Sequence, residues 1–285
     1  MKAGMIGLGA MGIGMARNIA KAGYLAGVYN RTATKAENLA EELNVIAFDQ
    51  PEELAANVEL VLICVSADQD VLAMVEAIAK TIKPGTIVVD MSTVSSDAAR
   101  QAAAMLAEKQ VAFLDAPVSG GVEGAKNGTL AMMVGGDADA LEKARPVLET
   151  MTRCIMHMGA TGSGQATKAV NQIMGAGINQ AVTEALAFAQ AQNLTMEKVI
   201  EVISGGASGN WFLQHRGPTM TRGIFAPGFK LALHHKDLKI CLSMAKQTGA
   251  STMLIDMTIT DYERLMAEGY GDEDISALYR LKAID

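Results

Sequence analysis

The segment Gly7-Leu8-Gly9-Ala10-Met11-Gly12 constrains this chain more than any other. It matches G-x-G-x-x-G, a pattern that is weak alone but specific after a strand, at the start of a helix, with a second strand following. That context is present. Residues 2–6 read as a short strand, residues 11–22 carry helical periodicity, and residues 25–29 read as a second strand. Gly7 permits the tight turn, Gly9 lets a pyrophosphate approach the backbone, and Gly12 lets helix and strand pack closely. The helix N-terminus adds unpaired N–H groups and partial positive charge. These features together predict a βαβ unit built to hold a dinucleotide.

The alternation continues. Residues 60–65 (LVLICV), 86–90 (TIVVD) and 111–115 (VAFLD) are apolar runs, as expected of strands buried on both faces. Helical stretches lie near residues 69–82 and 95–109. This succession predicts a parallel sheet with right-handed crossovers. Residues 130–134 and 155–158 predict two further strands, around a helix starting near Ala138. The pattern changes at Gly159, Gly162 and Gly164, after which helical periodicity runs to about Gln192 without a proline. Such a helix would be about 40 Å long. Its small and apolar residues lie on several faces, so it should be buried as a domain spine or between subunits. Beyond it only helices and turns are predicted. The expected architecture is an α/β Rossmann-type domain over residues 1–162 and an all-α domain over residues 163–285, joined by a long helix of about residues 164–192.

Composition narrows the function. The 285 residues carry 24 Lys+Arg against 31 Asp+Glu, a net charge of −7, with no basic block. Nucleic acid and anionic membrane are poor partners for such a chain, although a local pocket can still take a small anion. Half the residues are hydrophobic, but no apolar run reaches the roughly 18–20 residues of a membrane span. Lys2 leads straight into the first strand, which reads as structure rather than a secretory signal. Cys64, Cys154 and Cys241 are odd in number and far apart, giving neither a zinc spacing nor a disulfide framework. A cytoplasmic location and no metal are expected. The 19 methionines are explained by soft core filling as well as by any function.

Four segments carry candidate chemistry. At the end of the second strand, an NAD site usually presents Asp or Glu to the ribose 2′-hydroxyl. This chain has Asn30, Arg31 and Thr32 instead, with no carboxylate to repel a 2′-phosphate and an arginine able to pair with it. That predicts NADP. Asp115-Ala116-Pro117-Val118-Ser119-Gly120-Gly121 reads equally as a tight turn or as a nest of N–H groups for a carboxylate. Lys168, Asn171 and Gln172 share a helix face in apolar surroundings. Lys168 there either snorkels to solvent or acts, desolvated, as a general acid for a carbonyl becoming an alkoxide. Lys230, Lys236 and Asp237 read as a solvated face or as groups reaching toward the cleft between the domains. The histidines His157, His215, His234 and His235 show no acidic partner at a cleft position, and His234 and His235 point to different helix faces.

GLGAMG at 7–12, DAPVSGG at 115–121, GQATKAVN at 164–171 and KDL at 236–238, in this order, resemble the β-hydroxyacid dehydrogenase family. That family includes 3-hydroxyisobutyrate dehydrogenase, tartronate semialdehyde reductase and glyoxylate/succinic semialdehyde reductases. The resemblance runs from Met1 to about residue 280 and implies an NADPH-dependent enzyme acting on a small carboxylate-bearing substrate. It implies that Lys168 is the catalytic lysine and Asn171 its partner, and that Ser119, Gly120 and Gly121 hold the substrate carboxylate. Lys236 would lie near the nicotinamide with Asp237 behind it, and Val65, Ser66 and Thr93 would line the cofactor. The NRT segment resembles the NADP-preferring branch. A homodimer or homotetramer is implied through the helical domain.

Two other functions share parts of this pattern. An imine reductase has the same architecture but usually lacks a lysine at the position of Lys168. A non-catalytic NADP-binding redox sensor usually loses the proton donor. Trp211 and Phe212 either close on a short substrate or pack in the core. The segments 208–216 and 225–230 are expected to shape the far end of the pocket. The DAPVSGG run resembles the hydroxyisobutyrate and tartronate branches, whereas the NRT segment and the WFLQHRGPTM run resemble tartronate or glyoxylate-type reductases, so the resemblance implies no single substrate.

Overall fold

The computed structural model describes residues 1–283. The chain divides into two compact units, Met1–Lys168 and Ala169–Asp285. The first contains β1 (Ala3–Ile6), α1 (Gly12–Lys21), β2 (Leu25–Tyr29), α2 (Ala33–Leu43), β3 (Ile46–Ala47), α3 (Pro51–Asn57), β4 (Leu60–Ile63) and α4 (Asp68–Ile78). It continues with β5 (Ile87–Asp90), α5 (Ser96–Ala107), β6 (Ala112–Asp115), β7 (Val118–Ser119), α6 (Gly121–Asn127), β8 (Leu130–Gly135), α7 (Ala138–Leu148) and β9 (Thr152–Gly159). The strands form one sheet in the order β3-β2-β1-β4-β5-β6-β8-β7, with β9 also paired to β8.

β1 to β6 are mutually parallel. Their order reverses between β1 and β4, the place where open α/β sheets leave a crevice at the strand ends. β1, β4 and β5 are buried along their full length. Alternate residues feed two cores. Met5, Leu62 and Val89 pack with Met15 and Ile19 of α1 on one face. Ile6, Ile63 and Val88 pack with Val71 of α4 and Ala102 of α5 on the other. A strand covered on both faces has no polar side, which is why these segments read as unbroken apolar runs.

The expected parallel pattern breaks after β6. β8 is antiparallel to both β6 and β7, and only β9 resumes the parallel direction, against β8. The link from β6 to β8 is occupied by β7 and by the seven-residue α6. The sequence reading also passed over α2, α3 and β3. β3 has two residues, too few to show a period.

The long helix α8 (Ser163–Ala191) has 29 residues and begins in the first unit. The second unit continues with α9 (Met196–Ser204), α10 (Trp211–Met220), α11 (Leu231–Thr248) and α12 (Met253–Ala267), followed by two 3₁₀ segments, Tyr270–Asp272 and Ile275–Leu281. Its core gathers Leu186, Phe212, Leu238, Tyr262 and Leu278. Asp274, 1% exposed, ties two of its loops together. Its carboxylate accepts from the N–H groups of Gly228 and Phe229 and pairs with Arg216 at 3.2 Å. Among the described residues no helix is long and apolar enough to cross a membrane.

Candidate active site

The glycine turn joins β1 to α1 at the switch point. Gly7 has φ +96°, and a Cβ there would lie 2.1 Å from the Cys64 carbonyl oxygen, so only glycine fits. A Cβ on Gly9 would meet nothing within 4 Å, so the turn opens into free space in front of the α1 N-terminus. No side chain caps that terminus. A groove runs from this turn past the end of β2, lined by Gly9, Asn30, Arg31, Thr32, Lys35 and Asp70 among others. Val65 and Ser66, after β4, line it too. Open backbone beside unpaired N–H groups, with two cations at the far end, fits a dinucleotide.

The three residues after β2 differ in position. Arg31 is exposed and its guanidinium stands 3.6 Å from the Asp70 carboxylate of α4. The end of β2 itself carries no carboxylate. Asp70 nevertheless enters from the first turn of α4 because β4 lies beside β1. The Asn30 side chain accepts from the Leu8 N–H at 2.9 Å and donates to the Thr32 carbonyl at 3.1 Å. It therefore clamps the glycine turn to the end of β2 while lining the groove. Lys35, which the sequence reading missed, stands in the first turn of α2.

A second set of contacts surrounds the start of α8. Asp115, fully buried at the end of β6, accepts from the N–H groups of Gly162 and Gln165 at 2.8 and 2.9 Å. Burial pushes its carboxyl group up, and these N–H groups oppose the shift. Gly164 allows the close approach, since a Cβ there would lie 2.3 Å from the Asp115 carbonyl oxygen. Lys168 follows one turn later and is 7% exposed, so it does not snorkel into solvent. Thr93 stands in the loop after β5, between the buried Ser92 and Val94. Ser119 pairs with Ala131 of β8, and Gly120 (φ +134°) and Gly121 (φ +63°) lead into α6.

In the second unit the predicted residues form a chain. Asn171 donates to the Gln172 side-chain oxygen at 2.8 Å, and the Gln172 amide donates to Asp237 at 2.6 Å. The other Asp237 oxygen pairs with Lys236 at 2.9 Å. Asp237 is 4% exposed, so Lys236 and Asp237 are an ion pair at a buried edge and not a solvated face. Gln172 is the node of this chain. Gln172→Leu leaves Asp237 one partner short and is expected to lower stability by about 1–3 kcal/mol, read by urea unfolding. Unchanged stability would show that these hydrogen bonds contribute no net stability.

The histidines take structural or surface places. His234 is 1% exposed, with its ring nitrogens 3.0 Å from the Tyr262 hydroxyl and 3.1 Å from the Gln172 carbonyl oxygen. His235 meets Glu263, and His215 stacks on Trp211. Trp211 and Phe212 separate, the first 60% exposed and the second packed in the core. Among the described residues no group of three His, Cys, Asp or Glu side chains is placed to hold a metal ion.

This fold and groove define a dinucleotide-binding protein. Residues 2–159 match the family model described as the NAD binding domain of 6-phosphogluconate dehydrogenase. Residues 162–282 match that described as the NAD-binding domain of NADP-dependent 3-hydroxyisobutyrate dehydrogenase. An NAD-dependent L-serine dehydrogenase of Pseudomonas aeruginosa is 34% identical over 97% of this chain and 96% of its own. A 2-hydroxy-3-oxopropionate reductase of Escherichia coli is 36% identical over 86% of this chain and 85% of its own. The structure of Mycobacterium tuberculosis 3-hydroxyisobutyrate dehydrogenase with L-serine superposes with a TM-score of 0.91 at 33% identity, covering 98% of each chain. The chain belongs to the β-hydroxyacid dehydrogenase family, and it is an NAD(P)-dependent hydroxyacid dehydrogenase.

Proposed function

We propose that this enzyme interconverts a small aldehyde acid and its hydroxy acid, prefers NADP(H), and uses Lys168 as proton donor and acceptor. The observation that carries the reading is the buried Lys168, one turn into α8, whose first turn is held in place by Asp115. The bound nicotinamide supplies or accepts the hydride. In reduction, Lys168 gives a proton to the substrate oxygen as the carbonyl becomes an alcohol, and in oxidation it takes that proton back. Asn171 orients the substrate beside the lysine. Ser119, Gly120 and Gly121 hold the substrate carboxylate through hydroxyl and N–H groups. Lys236, kept in position by Asp237, adds positive charge near the nicotinamide.

The NADP preference rests on Arg31 and Lys35, two cations in one groove at the end of β2. Thr32 adds a hydroxyl. Asp70 draws on Arg31 in the absence of a phosphate, but a dianionic 2′-phosphate is the stronger partner. Arg31→Ala is expected to weaken NADPH binding by about 10–100-fold and to leave NADH binding nearly unchanged. Fluorescence titration with both cofactors reads this. An equal loss for both cofactors would remove the 2′-phosphate role.

The activity test is a panel with NADPH or NADH. It holds glyoxylate, succinic semialdehyde, tartronate semialdehyde and methylmalonate semialdehyde, with L-serine and 3-hydroxyisobutyrate for the oxidative direction. Faster turnover with NADPH and any aldehyde acid supports the reading. Binding of NADPH without turnover of any member overturns it in favour of an imine substrate or a non-catalytic role.

A further inference from the structure

The Gln165 side chain reaches from the first turn of α8 to the loop after β5, 73 residues earlier in the chain. Its Nε2 donates to the Ser92 carbonyl oxygen at 2.8 Å, and its Oε1 accepts from the Val94 N–H at 3.2 Å. The two bonds bracket Thr93. The side chain is 1% exposed, and its own backbone N–H is held by Asp115. The bracketed loop is itself fixed. The Ser92 N–H donates to Asp90 at 3.0 Å, and the Ser92 hydroxyl oxygen accepts from the Val65 N–H at 2.9 Å. One hydrogen-bonded path thus runs from Val65 through the Thr93 loop and Gln165 to the first turn of α8, one turn before Lys168. Residues 165 and 168 are neighbours on one helix face.

The geometry points to Gln165 as a positioning residue that sets Lys168 against the loop expected to line the nicotinamide. The inference rests on the acid–base role proposed above for Lys168. Only a planar group with one donor and one acceptor at this length makes both bonds. Glutamine does so, and so does a protonated glutamic acid, whose hydroxyl replaces the amide N–H. An ionised glutamate keeps the acceptor for the Val94 N–H but sets a second acceptor against the Ser92 carbonyl oxygen and repels it. Methionine has similar bulk and makes neither bond.

The test uses Gln165→Met and Gln165→Glu in the full-length enzyme. Gln165→Met is expected to lower kcat about tenfold or more, since small displacements of reacting groups are costly, with KM for the aldehyde acid and Kd for NADPH little changed. Gln165→Glu is expected to approach wild-type kcat at acid pH and to fall progressively behind as pH rises and the new carboxyl ionises. Asp115 holds the Gln165 N–H, Asp90 holds the N–H of Ser92 in the bracketed loop, and Lys168 lies three residues on in the same helix, so the midpoint of that loss reads their combined field. Taking the ratio to wild type at each pH removes the titration of the groups both proteins share. Hydrogen exchange gives a readout independent of turnover: in Gln165→Met, residues 92–94 and 163–168 are both expected to exchange faster. Wild-type kcat in Gln165→Met, a pH-independent ratio for Gln165→Glu, or faster exchange in only one segment overturns the inference. If the wild-type enzyme turns over no panel member, the proposed function falls on its own, and the exchange result still decides the coupling.

Discussion

Lys168→Ala is expected to lower kcat about 10²–10⁴-fold while leaving NADPH binding within about twofold of wild type. The size follows from the role. A positioned general acid lets the developing alkoxide be neutralised in the transition state, and without it the proton must come from water. The separation between kcat and cofactor affinity follows from position. The dinucleotide groove is built from β1, β2, β4 and the helices after them, whereas Lys168 belongs to the start of α8. Lys168→Met, which keeps bulk and loses charge, should behave as the alanine variant does, because packing is not what is lost. Steady-state turnover and fluorescence titration on the same preparations read both quantities. A kcat within a few-fold of wild type would remove Lys168 from the mechanism, and a parallel loss of cofactor affinity would make it a binding residue.

What the sequence showed and what it hid divide along chain distance. β2 is found at residues 25–29 as expected, and α8 at residues 163–191 against an expected 164–192. Both were legible because their causes are local: continuous apolar runs between turns, and a long stretch without proline. The groups that hold the site were hidden because their partners are remote. Nothing near Gln165 in sequence announces Ser92, and nothing near Arg31 announces Asp70. Asp115 read as part of a turn, because its use as the cap of α8 depends on a helix that begins 48 residues later. Lys35 did leave a signal. It is a cation in the first turn of α2, which has no acidic residue there, against the preference of a helix dipole. A residue placed against its helix is available for another task, and the groove supplies one.

Raising the pH from 4 to 8 is expected to cost the wild-type protein stability that Asp90→Asn does not lose. Asp90 ends β5 with no exposed surface, and burial pushes its carboxyl up from 3.8 to about 7. Ser92 favours the charged form through two hydrogen bonds, and the nearby Asp115 and Asp68 disfavour it. One carboxyl oxygen, Oδ2, has no hydrogen-bond partner in its buried setting. The folded protein therefore holds a proton here that the unfolded chain has released over the same range. Stability linked to this group is complete below about pH 4, falls as pH rises toward 7, and is constant above. The interval of 3.8 to about 7 corresponds to a loss of roughly 4 kcal/mol, an order-of-magnitude figure at about 1.4 kcal/mol per pH unit. Asparagine keeps the acceptor for the Ser92 N–H and cannot titrate. Its own buried amide donor lowers stability by a constant amount, so the informative quantity is the difference between variant and wild type, which should move in favour of the variant as pH rises. Urea unfolding of both proteins at pH 4, 6 and 8 measures it. A difference independent of pH would mean that Asp90 is already ionised in the folded protein. The Ser92–Gln165 path would then be anchored on a charge instead of a neutral acid.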